Sequence, residues 1–193
     1  MKILFFSPYF YPYISGVTIS PKRILDHLSK KNEITVLTFA KSRQRQEKIT
    51  YLPYLFKISK GFISPQSLIY FFKYAKKTDL IILNQPNFEG LFLAIFGKIF
   101  HKKIISIFHC QVFLEGNFLT KVINFALDLS MKIQLHLSDK IVVYTKDYID
   151  SLPYFKKLGN KTSEILPPIE KFLPDKKFQN KLLKLKEKNI WVG

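Results

Sequence analysis

Ser15 and Gly16 are the first residues along the chain whose position could support chemistry. They end a loop that follows Lys2–Phe6, a segment that is apolar after its first residue and is typical of a strand buried on both faces. Helical spacing of apolar residues begins directly after them and predicts a helix over Val17–Leu28. A glycine at a helix N-terminus, beside the carboxyl end of a strand, is a natural phosphate site. The alternative is that Gly16 only begins the helix, since the G-x-G-x-x-G pattern of dinucleotide sites is not present.

His109 directly follows another predicted buried strand, Ile104–Phe108. A side chain at that end of a strand lies where sheets of this class bind their ligands. The alternative is a buried imidazole that donates to a backbone carbonyl. The three other histidines lack the spacing of metal ligands, and the carboxylates of Glu89 and Glu115 stand alone rather than as an acid/base pair. The sequence therefore predicts no metal site.

Composition points to a globular domain with an anionic partner. The chain has 193 residues, is 47% apolar with a mean hydropathy of +0.03, and is long enough to bury a sizeable core. Its net charge of +17 fits nucleic acid, a lipid surface or phosphorylated substrates, and the alternative is an ordinary lysine-rich solvated surface. No helix-turn-helix, zinc-finger or RNP-type motif is present in the sequence, so nucleic acid is not expected.

The sequence also predicts the compartment. Cys110 is the single cysteine, which excludes an internal disulfide framework and fits a reducing compartment. The amino terminus lacks the pattern of a signal peptide, and the longest apolar stretch, Phe88–Phe100, is too short to span a bilayer. We therefore expect a cytoplasmic protein whose membrane contact would be peripheral.

Strands and helices alternate along the chain, and these elements would position the candidate residues. The predicted strands are Lys2–Phe6, Ile34–Phe39, Leu80–Leu83, Ile104–Phe108, Ile141–Tyr144 and Ile165–Leu166, with a shorter strand-like stretch at Ile49–Phe56 after a charged loop at 41–48. The predicted helices are Val17–Leu28, a helix after Pro65, Phe88–Phe100, Phe118–Leu137 and Asp147–Leu152. This alternation predicts a Rossmann-like α/β fold: a doubly wound, mostly parallel sheet with helices on both faces.

Two helices carry explicit predictions of their apolar faces. In the helix after Pro65, the expected inward residues are Leu68, Ile69, Phe72 and Ala75, with Lys73, Lys76 and Lys77 outward. In the helix Phe118–Leu137, one apolar face is formed by Phe118, Val122, Phe125, Ala126, Leu129 and Ile133.

The carboxyl-terminal part differs in composition from the rest. Residues 1–170 are predicted to form the Rossmann-like domain, and 171–193 a basic linker helix followed by the start of a strand. The helix is expected over 175–188, and the strand begins at Ile190. We interpret this strand as the first element of a second domain that this chain does not contain; the alternative is an edge strand that completes the sheet.

Five blocks, in this order and spacing, resemble the group-1 glycosyltransferases (family 4, GT-B fold). The blocks are Pro8–Val17, Phe108–His109, Ile141–Thr145, Ile165–Glu170 and Trp191–Gly193. The chain looks like the N-terminal, acceptor-side domain alone. In that family the C-terminal domain holds the nucleotide sugar and the paired glutamates, so the resemblance implies a chain that is inactive without that half.

The resemblance implies roles for four residues. Ser15 and Gly16 match the glycine-rich loop whose amides approach the donor diphosphate or the acceptor, although Ser15 replaces a glycine that members often have. His109 matches a histidine near the reacting sugar carbon and is the predicted catalytic residue. Thr145 sits where the family often has a serine facing the cleft; the alternative is a helix N-cap. Tyr9, Tyr11 and Tyr13 are expected either to line the acceptor side of the cleft or to pack the loop.

The resemblance also implies partners and a location. The expected activity is transfer of a sugar, with retention, from a nucleotide sugar to a glycan or a lipid-linked acceptor, with no metal or other cofactor. The basic, aromatic region Lys41–Lys77 matches the surface that membrane-associated transferases of this type rest on anionic lipid, on the inner face of the cell membrane. A separate C-terminal chain could supply the donor half. The alternative is a membrane-docking or acceptor-binding module without catalysis.

Overall fold

The computed structural model describes residues 1–41, 44–46, 48–58 and 61–168, and the single residues Asp175, Phe178, Asn180 and Leu183. The strands are β1 Lys2–Phe6, β2 Glu33–Ala40, β3 Gln44–Gln46, β4 Ile49–Pro53, β5 Phe56–Ile58, β6 Gly61–Ile63, β7 Leu80–Gln85, β8 Lys103–Phe108, β9 Lys140–Val143 and β10 Thr162–Glu164. The helices are α1 Gly16–Leu28, α2 Ser67–Lys77, α3 Gly90–Ile99, α4 Phe118–Leu137 and α5 Lys146–Asp150, followed by a 3-10 helix at Pro153–Lys161.

One central sheet organises the chain, with the strand order β10-β9-β8-β7-β1-β2-β4-β3. Every neighbouring pair is parallel except β3 with β4, which is antiparallel and forms one edge. Strands β5 and β6 form a separate antiparallel hairpin. The predicted Rossmann-like, doubly wound and mostly parallel α/β fold is confirmed.

β1 is buried on both faces because helices cover both sides of the sheet. Ile3 and Phe5 pack in the cluster that includes α1, whereas Leu4 and Phe6 pack in the cluster that includes α2 and α3. The ring of Phe6 lies 4.9 Å from the ring of Phe71 in α2. This two-sided burial explains why the strand is a continuous apolar run rather than an alternating pattern.

Two predictions about strands were wrong in detail. The last strand is Thr162–Glu164, three residues before the predicted Ile165–Leu166, and both of those apolar side chains are exposed. The error follows from position: β10 is an edge strand held by backbone pairing with β9, which requires no apolar side chain. The predicted charged loop at 41–48 contains β3, an edge strand that also forms by backbone pairing.

The stretch Ile49–Phe56 divides between two sheets. β4 belongs to the central sheet, while β5 turns away and pairs with β6 in a hairpin that the sequence analysis did not predict. The fifth helix begins one residue earlier and ends two residues earlier than the predicted Asp147–Leu152, and a 3-10 helix follows it.

The predicted inward face of α2 was wrong at two positions. Ile69 and Phe72 are 70% and 49% exposed, whereas Phe71 and Ala75 are fully buried. Almost every position in the first half of α2 is apolar, so periodicity did not define which side faces the sheet. Contact between the Phe71 and Phe6 rings decides the orientation.

The predicted apolar face of α4 points largely to solvent. Phe118 and Phe125 are 81% and 68% exposed, and the buried side carries Ser130, Met131, Gln134 and Leu135 instead. The two polar residues on this side can be buried because they hydrogen-bond to backbone carbonyls, as Ser130 does to that of Phe88 at 3.1 Å. The apolar stripe on the outside of α4 therefore has no cover within the described chain.

Most of the predicted basic helix at 175–188 lies outside the described residues, which include only four single residues of this range. The predicted strand beginning at Ile190 also lies outside them, as do Ile169 and Glu170. No helix within the described ranges is long and apolar enough to cross a membrane.

Candidate functional site

The carboxyl ends of β1, β7 and β8 meet at the middle of the sheet. From β1 the chain runs outward through β2 and β4, then returns to place β7 on the other side of β1, so the winding direction reverses here. Crevices at such reversals are where open α/β sheets bind ligands. Ser7, Asn84 and His109 are the polar residues that these three strands deliver to the crevice.

His109 forms a close hydrogen-bonded pair with Asn84. The imidazole Nε2 lies 2.7 Å from Asn84 Oδ1, and Asn84 Nδ2 donates to the Val17 carbonyl at 3.0 Å and to Ser7 Oγ at 3.1 Å. A backbone carbonyl can only accept, so the Val17 bond assigns which end of the amide faces His109. His109 Nε2 must then carry the hydrogen, and in the neutral ring Nδ1 is left as the acceptor.

Burial keeps His109 neutral. Desolvation lowers the pKa of its imidazole from 6.5 to about 4, because the charged form loses its hydration in the partly buried site. Nδ1 makes no hydrogen bond within the described chain. Every fully buried side-chain nitrogen and oxygen in the described chain has a hydrogen-bond partner, so Nδ1 must be accessible to solvent. At neutral pH this atom can accept a hydrogen bond from a ligand hydroxyl.

Tyr144 supports the other side of the imidazole. Its ring meets that of His109 edge to face, with centroids 5.0 Å apart, and its hydroxyl lies 2.7 Å from Ser20 Oγ in α1. Burial raises the pKa of the Tyr144 phenol, so it remains protonated at neutral pH. The position of His109 is therefore determined jointly by β7, α1 and the residue that follows β9.

Ser15 and Gly16 lie where α1 begins. Ser15 is the N-cap, and its N–H donates to Thr18 Oγ1 at 2.9 Å. Gly16 is exposed, and a Cβ atom placed on it would meet nothing within 4 Å. Gly16 thus begins the helix, as the alternative interpretation held, while its role toward phosphate stays a prediction. The next residue, Val17, joins this turn to the pair formed by His109 and Asn84.

Thr145 is the exposed N-cap of α5, and its side chain makes no capping hydrogen bond. It follows Tyr144 directly, so the three predicted segments, 15–17, 109 and 144–145, reach the same edge of the sheet. The contacts to His109 come from Asn84 and Tyr144, which the sequence analysis did not assign to the site. Asn84 had a detectable signal, since it opens a polar run directly after the apolar part of β7.

A cavity of about 940 Å³ opens beside this network. Its floor consists of the ends of β1 and β7, and its walls are the β5–β6 hairpin, the loop 110–116 and α4 from Lys121 to Lys132. The apolar residues on these surfaces are Pro8, Tyr9, Val17, Ile58, Phe62, Ile63, Pro86, Phe88, Val112, Phe113, Leu114, Ile123, Phe125, Ala126, Leu127 and Met131. Tyr9 lines the cavity and also packs against the rings of Tyr13 and Phe62, whereas Tyr11 and Tyr13 do not line the cavity. The volume lies at the upper end of the range for small-molecule sites, about 300–1,000 Å³.

A buried amide network shapes the cavity floor. Gln85 Nε2 donates to Gln134 Oε1, Gln134 Nε2 donates to the Asn87 carbonyl at 2.8 Å, and the Gly90 N–H donates to Asn87 Oδ1 at 2.7 Å. A Cβ atom on Gly90 would lie 2.4 Å from Asn87 Oδ1 and 2.6 Å from Gln134 Oε1. Only glycine fits there, and it lets α3 and α4 share this network.

Glu89 is a buried carboxylate on the cavity surface, 6% exposed. Its Oε1 accepts the backbone N–H of Phe62, which ties the β5–β6 hairpin to the start of α3. Burial raises the pKa of the Glu89 carboxyl, while the Phe62 bond opposes that rise. The described part of the chain shows no group of three or more His, Cys, Asp or Glu side chains that could hold a metal.

Comparison with known proteins found no family model that matches this chain and no similar curated protein. The function proposed below therefore depends on the fold, the site and the order of the sequence blocks.

Proposed function

We propose that this chain is the acceptor-side half of a retaining glycosyltransferase that moves a sugar from a nucleotide sugar to a glycan or a lipid-linked acceptor. The observation that carries the proposal is a neutral His109, held by Asn84 at the reversal point of the sheet with Nδ1 open to a ligand. The order of the five sequence blocks supplies the reaction class. The chain stays inactive until a donor-binding half, in the same or a separate polypeptide, joins it.

In this proposal His109 orients a sugar beside the reacting carbon. Its Nδ1 accepts a hydrogen bond from a sugar hydroxyl, because Nε2–H is already committed to Asn84. The transition state of glycosyl transfer resembles an oxocarbenium ion and carries positive charge. A neutral imidazole with its lone pair on that side stabilises such a charge, whereas an imidazolium would repel it. The low pKa of His109 therefore suits the reaction.

The first turn of α1 receives the donor diphosphate. A helix leaves its first N–H groups without intrahelical partners, so the amides of Gly16 and Val17 can bind phosphate oxygens. Thr145, exposed on the neighbouring segment, offers a hydroxyl toward the same edge. No metal is required in this arrangement, since backbone amides and the donor half balance the phosphate charge.

The test joins this chain to the polypeptide encoded directly downstream of Gly193 and measures transfer from radiolabelled UDP- and GDP-sugars into a lipid extract and a glycan pool. We expect His109→Ala to lower turnover about 10²- to 10³-fold, the usual effect of losing one transition-state contact. His136→Ala, which changes an exposed histidine in the last turn of α4, is the matched control. Absence of transfer from every donor, or equal activity of both variants, would refute the proposal.

A second candidate is an acceptor-binding module that rests on the inner face of the cell membrane without catalysing transfer. The exposed apolar stripe on α4 favours it, together with Lys73, Lys76 and Lys77 on α2. Co-sedimentation with phosphatidylcholine vesicles, with and without phosphatidylglycerol, tests this candidate. Binding that needs the anionic lipid, combined with no transfer after joining a donor half, would favour this candidate over the first.

A further inference from the structure

The cavity changes character from its floor to its mouth. At the floor, Ser7, Asn84 and Gln85 present hydroxyl and amide groups beside His109. Away from the floor, the walls are mostly apolar and are formed by the hairpin on one side and α4 on the other, although α4 also contributes Lys121, Asn124, Asp128 and Lys132. A ligand that is polar at one end and largely apolar along the rest of its length therefore matches this lining.

The apolar walls continue onto an exposed apolar mouth. Phe113 and Phe125 both line the cavity and are 85% and 68% exposed, and Ile58 on the hairpin opposite is 44% exposed. Phe118 extends the same exposed surface along α4. Such a group of exposed apolar side chains at a cavity mouth, next to charged residues such as Glu115 and Lys121, marks an interaction site. It suits a ligand whose chain leaves the cavity toward other apolar material.

We infer that this cavity binds the hydrocarbon chain of an amphiphilic acceptor, with the hydroxyl-bearing head at Ser7 and Asn84 on the floor, next to His109, and the hydrocarbon chain between the hairpin and α4. The acceptor is thus lipid-linked rather than a water-soluble glycan. The inference rests on the proposed function for the identity of the acceptor only. Binding of the hydrocarbon chain is measured without a sugar donor. If the hydrocarbon chain does not bind, transfer to a soluble glycan remains possible; if transfer fails, binding of the hydrocarbon chain can still be measured.

The experiment titrates this chain with n-alkyl β-glucosides of increasing chain length, each below its micelle concentration, by isothermal calorimetry. Burying one methylene group contributes enough free energy to tighten binding about fourfold. We expect this gain at each added carbon until the cavity is filled, followed by a plateau. Methyl β-glucoside, which has the head without the chain, measures binding by the floor alone.

Two variants on α4 separate the cavity from the exposed stripe. Ala126→Phe places a ring in the cavity and should weaken binding of decyl glucoside at least tenfold, with binding of methyl glucoside unchanged. Leu129→Gln removes an exposed apolar side chain that does not line the cavity and should leave both affinities unchanged. Circular dichroism checks that each variant folds.

Three results would overturn the inference. They are affinity that does not depend on chain length, affinity that rises with chain length without a plateau, and equal weakening by Leu129→Gln and Ala126→Phe. The second and third results would assign the binding to the exposed stripe rather than to the cavity. If Ala126→Phe does not fold, the chain-length series on the unaltered protein still decides, because only a bounded cavity produces a plateau.

Discussion

Acidification should destabilise this protein through His109 by an amount that the site's geometry predicts. Folding lowers the pKa of the imidazole from 6.5 to about 4, so the unfolded chain takes up this proton at a higher pH than the folded chain. The stabilising contribution is fully present above the unfolded value and is lost as pH falls from 6.5 toward 4. At about 1.36 kcal/mol per pH unit, lowering the pH from about 7 to about 5 should cost roughly 2 kcal/mol.

The assay compares urea unfolding of the wild-type chain and His109→Gln at these two pH values. Glutamine keeps an N–H donor within reach of Asn84 but cannot titrate in this range, so the extra loss in the wild type belongs to His109. Other titrating groups, Glu89 among them, are common to both chains and cancel in the difference. His136→Gln, at an exposed position, should show the wild-type loss in full.

A direct titration provides the second readout. The imidazole C–H signal that disappears from the NMR spectrum of His109→Gln identifies this ring, and in the wild type its midpoint should lie near pH 4. A midpoint near the ordinary histidine value, with equal pH dependence of both chains, would refute the reasoning. It would show that the ring is hydrated and is not held in the pair with Asn84.

Three further predictions concern the elements that support the site. Gly90→Ala should lower the free energy of unfolding by roughly 2 kcal/mol, because the new Cβ would overlap the amide groups at the cavity floor. Gly16→Ala should leave this free energy unchanged or slightly raised, and urea unfolding compares the two variants. Glu89→Ala should cost about 1–3 kcal/mol, since it leaves the hairpin amide unbonded. Glu89→Gln should lower the free energy of unfolding by less. Because folding raises the pKa of the Glu89 carboxyl, the wild type should lose stability relative to Glu89→Gln as pH rises through that pKa, and urea unfolding of both chains over a pH series would show it. Phe71→Ala should cost about 3–5 kcal/mol and Ile69→Ala under about 0.5 kcal/mol in thermal unfolding; equal costs would mean that α2 is rotated.

The accuracy of the sequence analysis followed how strongly burial determined each segment. β1 and β8 were predicted within one residue at each end, because strands buried on both faces appear in a sequence as continuous apolar runs. β3 and β10 were missed or displaced, because edge strands depend on backbone pairing that side-chain patterns do not record. The orientation of α2 failed for a different reason, since a segment that is apolar on several sides has no periodic signal.

The residues of the candidate site also differ in how far the sequence alone could assign them. Positions 15–16 and 109 could be placed at this edge of the sheet from the sequence, because they stand next to predicted elements, and position 145 from the resemblance; the roles of these residues stay predictions. The contacts of Asn84 and Tyr144 with His109, and of Glu89 with the hairpin, could not be assigned, since they join residues that are 25 or more positions apart.

The sequence by itself determined the alternation of strands and helices, and with it the class of fold, because continuous apolar runs mark the buried strands and helical spacing marks the helices between them. Only the tertiary structure decided that Asn84 orients His109, that burial holds the imidazole neutral, and that a cavity of about 940 Å³ opens between the hairpin and α4. Hydrogen bonds, desolvation and enclosed volume all depend on distances between segments that are far apart in the chain. Strand register and helix packing set those distances, and neither is recorded in the local pattern of residues.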